Sequence, residues 1–207
     1  MNLKQQILNL QNSGVKEIVD KRLKEFRNLG ERGNEDWFSE LCFCLLTANA
    51  RASSAMNIQD QVRAKGFLYS PQENIASVIR MNKHRFHNNK AKYIVGAREF
   101  CNVKDILAGL ESVEAREWLV ENVKGLGMKE ASHFLRNVGH KDLAILDRHI
   151  LNLMFDRGYL LERPKTLTPK QYLAVEETFN MIAENLEMSS AELDLYMWYM
   201  KTGIVLK

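Results

Sequence analysis

The segment VKGLGMKEASHFLRN, residues 123–137, decides which fold the chain can adopt. Gly125 and Gly127 indicate a tight turn, because a residue without a Cβ accepts a positive φ and a close backbone approach at little cost. Apolar residues recur at helical spacing after the turn, and residues 114–122 before it are mostly helix formers. The segment therefore predicts two helices joined by a glycine hairpin.

The start of the second helix is expected to bind an anion. The first backbone N–H groups of a helix have no internal acceptor, and the helix dipole adds positive potential there. A nucleic-acid phosphate is the anion that we expect at such a hairpin. The hairpin residues predicted to bind DNA are Lys124, Gly125, Leu126, Gly127 and Met128.

Composition indicates a helical globular chain. With 207 residues, 45% of them hydrophobic, and only three prolines, it suits one compact unit or two small intertwined lobes. The formal net charge is only +3, so any charge that binds DNA must be concentrated on one face. No run of about 18 apolar residues is seen, so no transmembrane helix is expected, and the absence of a secretory segment at residues 1–6 favours a cytoplasmic protein.

Three cysteines, Cys42, Cys44 and Cys101, cannot all pair with one another. We interpret them as buried thiols in a reducing compartment. His84 and His87 have a spacing that suits a metal, but no third ligand lies near them in the sequence, so no metal site is predicted.

Apolar periodicity predicts helices along the chain and no strand. Residues 37–46 are hydrophobic most of the way round a helix, which indicates a buried central helix. Thr168 before Pro169 predicts a capped helix start. Further helices are expected over residues 3–29 with a break at 12–14, over 53–63 with Gly66 ending the run, from Pro71, and over 94–110, 147–155 and 191–200.

The hairpin resembles that of the helix–hairpin–helix DNA glycosylases, and most closely the second, archaeal-type class of 8-oxoguanine DNA glycosylase/AP lyase. Three segments carry the resemblance: KGLGMK (124–129), LDRHI (146–150) and LLTANAR (45–51). The sequence departs from the wider superfamily at residues 144–146, where Ala-Ile-Leu replaces the proline and glycine that precede the aspartate.

The resemblance implies an all-α, two-lobed fold with the active-site cleft between the lobes. We expect a central lobe of residues 31–141, which includes the hairpin, and a second lobe of residues 1–30 plus 142–207. The implied partner is double-stranded DNA containing 8-oxoguanine, bound by a monomer without a cofactor. An iron–sulfur cluster, present in some relatives, is not expected because the C-terminal region has no cysteine.

The resemblance also implies that Lys129 and Asp147 are the catalytic residues. Breaking the bond between the base and C1′ puts positive charge on the sugar, and a nearby carboxylate stabilises that charge. A lysine amine can capture C1′ as a Schiff base, after which β-elimination cleaves the 3′ phosphate. From spacing alone, Lys129 is an exposed lysine that contacts phosphate and Asp147 is a helix N-cap.

Four residues are candidates for base recognition. Asp194 and Trp198 are four residues apart on the last predicted helix and share a face. Lys207 corresponds to the lysine that the family ties to the distinction between 8-oxoguanine and guanine, and an acceptor aimed at N7 suits the lesion. Phe86, in the basic and aromatic stretch 80–93, resembles a family position near the extruded base.

Asn49 and Arg51 close the early helix with polar side chains. They are either solvated residues at a helix end or a polar wedge that enters the duplex and fills the gap left by the flipped base.

Two other functions remain open at this stage. One is a related glycosylase for another lesion, such as an oxidised pyrimidine or a mismatched base. The other is a non-catalytic hairpin module that binds DNA, which would by itself explain the two glycines.

Overall fold

A computed structural model gives the structure of residues 2–48 and 50–207, and every regular element in these ranges is helical. The predicted all-α fold is confirmed. In this described part of the chain no helix is both long and apolar enough to cross a membrane. The helices are α1 (Leu3–Gln11), α2 (Val15–Glu31), α3 (Asn34–Thr47), α4 (Ala52–Tyr69), α5 (Gln72–Met81), α6 (His87–Gly96), the 3-10 turn η1 (Ala97–Phe100), α7 (Val103–Ile106), α8 (Ser112–Asn122), α9 (Met128–Asn137), α10 (Arg148–Asp156), α11 (Pro169–Asn185) and α12 (Ser190–Thr202).

Several helix ends follow from local sequence, as predicted. The break at residues 12–14 separates α1 from α2. At the start of α11, Thr168 accepts a hydrogen bond from the Gln171 N–H while the Gln171 side chain accepts from the Thr168 N–H. This reciprocal capping satisfies two backbone donors that the helix leaves without partners.

The helices predicted over residues 94–110 and 53–63 differ from the observed ones. The first breaks after Gly96 into η1 and the short α7, because the Arg98 side chain donates to the carbonyls of Phe67 and Ser70 at the end of α4. The second is interrupted at its predicted last residue, Arg63 (φ 58°), but helical geometry resumes after this kink and continues past Gly66 to Tyr69. In the first case contacts with a distant helix outweigh local helix propensity.

The cysteines are only partly as expected. Cys42 and Cys44 are fully buried in α3, and burial raises the pKa of both thiols well above its usual range. The prediction that Cys101 is buried is wrong: its thiol is exposed, because it lies in the turn between η1 and α7.

Two clusters of buried apolar side chains form the core. The first surrounds α3 and draws its members from residues 37–143. The second draws its members from residues 3–26 and 144–205. We propose that these clusters are the cores of the two lobes predicted from the sequence, with the change from one to the other between α9 and α10.

The end of α3 is fixed by buried cationic and imidazole side chains. Lys90 Nζ donates to the Leu45 carbonyl at 2.6 Å, and His84 Nε2 donates to the Leu46 carbonyl at 2.9 Å. Burial lowers the pKa of both Lys90 and His84. These bonds satisfy carbonyls that the helix end would leave unpaired, and they set where the chain leaves α3 for the cleft.

A buried ion pair links the two clusters. Arg116 of α8 donates to Glu176 Oε1 of α11 at 2.6 Å, and both side chains are at least nine-tenths buried. The same oxygen accepts from the Ala144 N–H, and the Tyr172 hydroxyl donates to the Ala144 carbonyl. The chain is thus anchored where it passes from the first cluster to the second.

The hairpin between α8 and α9 uses its two glycines differently. Gly125 has φ +96°, which agrees with the glycine turn predicted there, and a Cβ would lie 2.5 Å from the Tyr93 ring. Gly127 is extended and is the N-cap of α9, with no side chain capping that helix. The first turn of α9 therefore keeps its N–H groups available for a ligand.

Replacement of Gly125 by alanine is expected to reduce the free energy of unfolding by about 1–3 kcal/mol, because it combines a positive φ with a contact against the Tyr93 ring. Gly96→Ala is the matched control: its backbone is helical and nothing lies within 4 Å of the added Cβ. That change should stabilise the protein by up to about 1 kcal/mol. Urea denaturation measures both, and equal effects would contradict the assigned turn geometry.

Candidate active site

A cavity of about 90 Å³ collects most of the residues that the sequence indicated for catalysis and base recognition. Its walls come from the segment after α3, from one face of α9, from the start of α10, from α12 and from the last residues of the chain. It therefore lies where elements of the two clusters meet. The lining residues are Thr47, Ala50, Ala52, Lys129, His133, Arg136, Ile145, Asp147, Asp194, Trp198, Leu206 and Lys207.

Lys129 enters this cavity from the first turn of α9. The extended Gly127 starts the helix two residues earlier. The lysine side chain is 28% exposed, and its Nζ lies 2.8 Å from Glu130 Oε1. The amine is thus within reach of solvent and of a carboxylate that can share its proton.

Asp147 is both an N-cap and a cavity residue. Its Oδ1 accepts hydrogen bonds from the N–H groups of His149 at 2.8 Å and Ile150 at 2.9 Å. Its Oδ2 has no hydrogen-bond partner among residues 2–48 and 50–207. Two main-chain donors therefore orient the carboxylate while one oxygen stays available to a ligand in the cavity.

The cavity face of α9 also carries two residues that sequence reasoning did not select. His133 and Arg136 follow Lys129 by four and seven positions, which is the spacing of a single helix face. That spacing was the available signal. Burial lowers the pKa of His133 well below its usual value, so the imidazole is neutral, and its Nε2 has no partner in the described part of the chain.

Asp194 is engaged by Arg136. The guanidinium donates to Asp194 Oδ2 and also to Asn137 Oδ1, and all three side chains are buried. Burial raises the pKa of Asp194 to about 6, an effect that Arg136 opposes. Asp194 lines the cavity, but its ion pair with Arg136 is sufficient to explain why a carboxylate is found at this position.

Lys207 is held by three side chains. Its Nζ donates to Glu40 Oε2 at 2.8 Å and to Gln59 Oε1 at 2.6 Å, and it lies 4.2 Å from the centroid of the Phe43 ring. Asn137 donates to the other oxygen of Glu40 at 2.6 Å. The ammonium is thus anchored to α3 and α4, and only part of this residue is left to face the cavity.

Trp198 is partly buried in the cavity wall and packs edge-on against His149, with 5.2 Å between ring centroids. Its indole N–H is buried and has no acceptor among the described residues. The side chain therefore offers both an aromatic surface and a free donor to an incoming base.

The remaining predicted residues that the structure describes lie outside the cavity. Phe86 is 44% exposed at the start of α6 and does not line the cavity, and Arg51 is exposed at the N-cap of α4 beside lining residues. The prediction for Asn49 lies outside the described residues. In the hairpin Lys124, Gly125 and Gly127 are exposed, whereas the side chains of Leu126 and Met128 pack into the two clusters.

No group of three or more potential metal-ligating side chains occurs within residues 2–48 and 50–207.

Comparison with known proteins agrees with this geometry. Residues 19–188 match the model of a family described as 8-oxoguanine DNA glycosylase. A protein from Methanocaldococcus jannaschii named 8-oxoguanine DNA glycosylase/AP lyase is 48% identical over 208 residues, which cover 100% of both chains. The crystal structure of the enzyme from that organism with a 15mer DNA containing 8-oxoguanine matches with a TM-score of 0.96 and 47% identity, over 99% of each chain.

Two further structures extend the comparison. The 8-oxoguanine DNA glycosylase of Thermotoga maritima matches with a TM-score of 0.93 and 41% identity, over 99% of this chain and 98% of that one. An endonuclease III bound to DNA matches with a TM-score of 0.59 at 18% identity, over 96% of this chain and 86% of that one. At that identity the likeness shows a shared fold.

Removal of the Asp194 carboxylate is expected to destabilise the protein strongly, because Arg136 would stay buried without its ionic partner. Asp194→Ala should reduce the free energy of unfolding by about 3–5 kcal/mol. Asp36→Ala removes a carboxylate from the exposed Arg32–Asp36 pair and should cost less than about 1 kcal/mol. Urea denaturation tests both, and an Asp194→Ala protein of unchanged stability that had lost excision would favour a direct contact with the base.

Proposed function

This chain belongs to the 8-oxoguanine DNA glycosylase family, and we propose that it excises 8-oxoguanine from DNA and cleaves the resulting abasic site, with Lys129 and Asp147 as its catalytic residues. The resemblance to the archaeal-type class of these glycosylase/AP lyases is thereby confirmed. The protein is an enzyme of base-excision repair.

One observation carries the assignment of roles. Lys129 and Asp147 come from successive helices and line the same cavity, together with an aromatic residue and with the residue that the family ties to lesion choice. A module that only binds DNA through its hairpin has no need of an amine and a free carboxylate oxygen in one cavity. This juxtaposition favours catalysis over that alternative.

Asp147 acts on the charge of the sugar. As the bond from C1′ to the base breaks, positive charge develops on the sugar, and a carboxylate whose position is already fixed stabilises it without reorganisation. The bonds from His149 and Ile150 supply that fixed position. Oδ2 is the oxygen that faces the reacting sugar.

Lys129 acts as the nucleophile. Its ammonium pairs with Glu130 in the free protein, so the amine must leave that carboxylate and lose a proton before it attacks C1′. Asp147 is placed to receive that proton because both side chains line one cavity. The base departs as the carbon–nitrogen bond to Lys129 forms. The C1′–O4′ bond then breaks, O4′ takes up a proton, and the opened sugar carries the imine at C1′. Loss of the 2′ proton from this imine expels the 3′ phosphate.

DNA is bound through the hairpin and the start of α4. The uncapped first turn of α9 and the exposed Lys124 bind phosphate, while the buried Leu126 and the partly buried Met128 contribute main-chain groups. Arg51 lies beside the cavity and contacts the duplex around the extruded nucleotide. We expect a monomer that acts on double-stranded DNA in the cytoplasm, at the nucleoid.

The base enters the cavity against Trp198. An indole that lines the cavity and keeps a free N–H can stack on a purine or donate to it. Phe86 lies away from the cavity wall, so any contact that it makes is with the DNA around the base.

Lys129→Gln should abolish the covalent complex that borohydride traps between the protein and 8-oxoguanine DNA, because the glutamine amide cannot form a Schiff base. Binding to duplex DNA should persist, as measured by gel shift. Lys170→Gln makes the same chemical change at an exposed position of α11 and should trap normally. Persistent trapping by Lys129→Gln would reject this lysine as the nucleophile.

The range of lesions is tested separately. The same trapping assay with DNA containing oxidised pyrimidines or mismatches compares these substrates with 8-oxoguanine.

Asp147→Asn separates the cap from the chemistry. Asparagine caps helices as well as aspartate, so the free energy of unfolding should change by less than about 0.5 kcal/mol. Excision in single-turnover assays should slow by about 100-fold or more, because the stabilising charge is gone.

Asp147→Ala is the comparison variant, with the same loss of excision and an additional destabilisation of about 1 kcal/mol. An Asp147→Asn protein that excises at the wild-type rate would reduce this residue to a helix cap.

A further inference from the structure

Lys129 must leave Glu130 before it can attack the sugar, and the surroundings of Glu130 indicate what releases it. Glu130 Oε1 lies 2.8 Å from Lys129 Nζ, and the carboxylate is only 14% exposed. Asp147 lines the cavity, whereas Glu130 does not. In the free protein the ammonium is therefore held by the carboxylate that lies outside the cavity.

The second oxygen of Glu130 lies at the start of α9. A Cβ built on Gly127, the N-cap of this helix, would be 3.4 Å from Glu130 Oε2. No side chain caps the helix, so its first N–H groups and the positive end of its dipole favour a nearby anion. Glu130 is the acidic residue of this first turn. Its carboxylate thus supplies, in the free protein, the negative charge that the helix start favours.

A DNA phosphate at the hairpin would compete with this carboxylate. The proposed function brings a phosphate to the same N–H groups and to the exposed Lys124. Two anions a few ångströms apart repel each other. The phosphate of a bound duplex is held by many contacts along the DNA, whereas Glu130 is held by a partly exposed ion pair. The carboxylate is therefore the group that moves.

Glu130 also acts on a buried cation outside the cavity. Lys90 donates to the Leu45 carbonyl at 2.6 Å, and burial lowers the pKa of this lysine, an effect that the charge of Glu130 opposes. A carboxylate that leaves Lys129 therefore still has a cation in its surroundings, which reduces the cost of its release.

We propose that Glu130 is a positioning residue that keeps Lys129 paired until a DNA phosphate binds at the start of α9 and displaces the carboxylate. The inference rests on the proposed function. Before DNA binds, the proton stays on Lys129 Nζ and is shared with Glu130 Oε1. After the displacement, Asp147 takes up this proton in the cavity as the amine attacks C1′. The nucleophile is thereby withheld from aldehydes that carry no nucleic-acid phosphate.

Trapping with and without phosphate tests the release. 2-Deoxyribose and a duplex with an abasic site both offer an aldehyde, which loses water with an amine to form an imine that cyanoborohydride reduces. With 2-deoxyribose, Glu130→Gln should raise the labelling of Lys129 about 3- to 10-fold, counted by peptide mass spectrometry against the exposed Lys170. With the duplex this advantage over the wild type should shrink severalfold, because phosphate has already displaced the carboxylate. An equal advantage on both substrates, or slower labelling by 2-deoxyribose, would overturn the proposal.

Two more variants separate the contact from its side effects. Glu130→Asp keeps a negative charge in the first turn of α9 but is one methylene shorter, so it should label with 2-deoxyribose as fast as Glu130→Gln. Glu121→Gln is the matched control, because it removes an exposed carboxylate of α8 that is no partner of Lys129, and it should label as the wild type does. Wild-type labelling by Glu130→Asp, or faster labelling by Glu121→Gln, would count against the contact.

The role of phosphate has its own readout. Lys124→Gln removes an exposed cation that is proposed to bind phosphate, so at saturating protein it should slow trapping on the abasic duplex. Addition of Glu130→Gln should restore part of that rate, since no carboxylate remains to be displaced. A double variant as slow as Lys124→Gln alone would overturn the displacement by phosphate.

The proposed function fails by a different result. A wild-type protein that neither excises 8-oxoguanine nor forms a trapped complex with DNA would reject it. A wild type that does both, combined with slower labelling of Glu130→Gln by 2-deoxyribose, would reject only the positioning role of Glu130.

Discussion

The structure depends on the pairing of buried charges where its two apolar clusters meet. Arg116 with Glu176, and Arg136 with Asp194, each join a helix of the first cluster to a helix of the second. A buried guanidinium without its carboxylate is strongly destabilising, so each pair restricts how the clusters can move apart. Arg136 and Asp194 also line the cavity, so their ion pair holds α9 and α12, which form two of its walls, at a fixed distance.

Helix α9 brings the requirements of fold and function together. Its uncapped start offers N–H groups to a phosphate, while its inner face carries Lys129, His133 and Arg136 in order along the helix. A phosphate bound at the start of this helix would therefore lie at a fixed distance from Lys129, the proposed nucleophile, because both belong to the same rigid element. A site built on one helix is more exact than one assembled from separate loops.

The sequence could predict features that depend on near neighbours. The left-handed turn at Gly125 and the cap at Thr168 each follow from residues a few positions away. The buried network could not be found in this way, since Asn137 meets Glu40 across 97 positions and Arg136 meets Asp194 across 58. The helix expected over residues 94–110 was wrong for the same reason, because bonds from Arg98 to the end of α4 interrupt it.

The same distinction separates the residues proposed for catalysis from those proposed to recognise the base. Lys129 and Asp147 are supported by the main chain at helix starts, which short segments such as 124–129 and 146–150 specify on their own. Lys207 instead depends on Glu40 of α3 and Gln59 of α4, which accept hydrogen bonds from its ammonium. The residues proposed for catalysis can thus be read in local motifs, whereas the position of Lys207, proposed to act in lesion choice, depends on contacts between distant parts of the chain. A substitution in α3 that leaves catalysis intact can therefore still alter which base is excised.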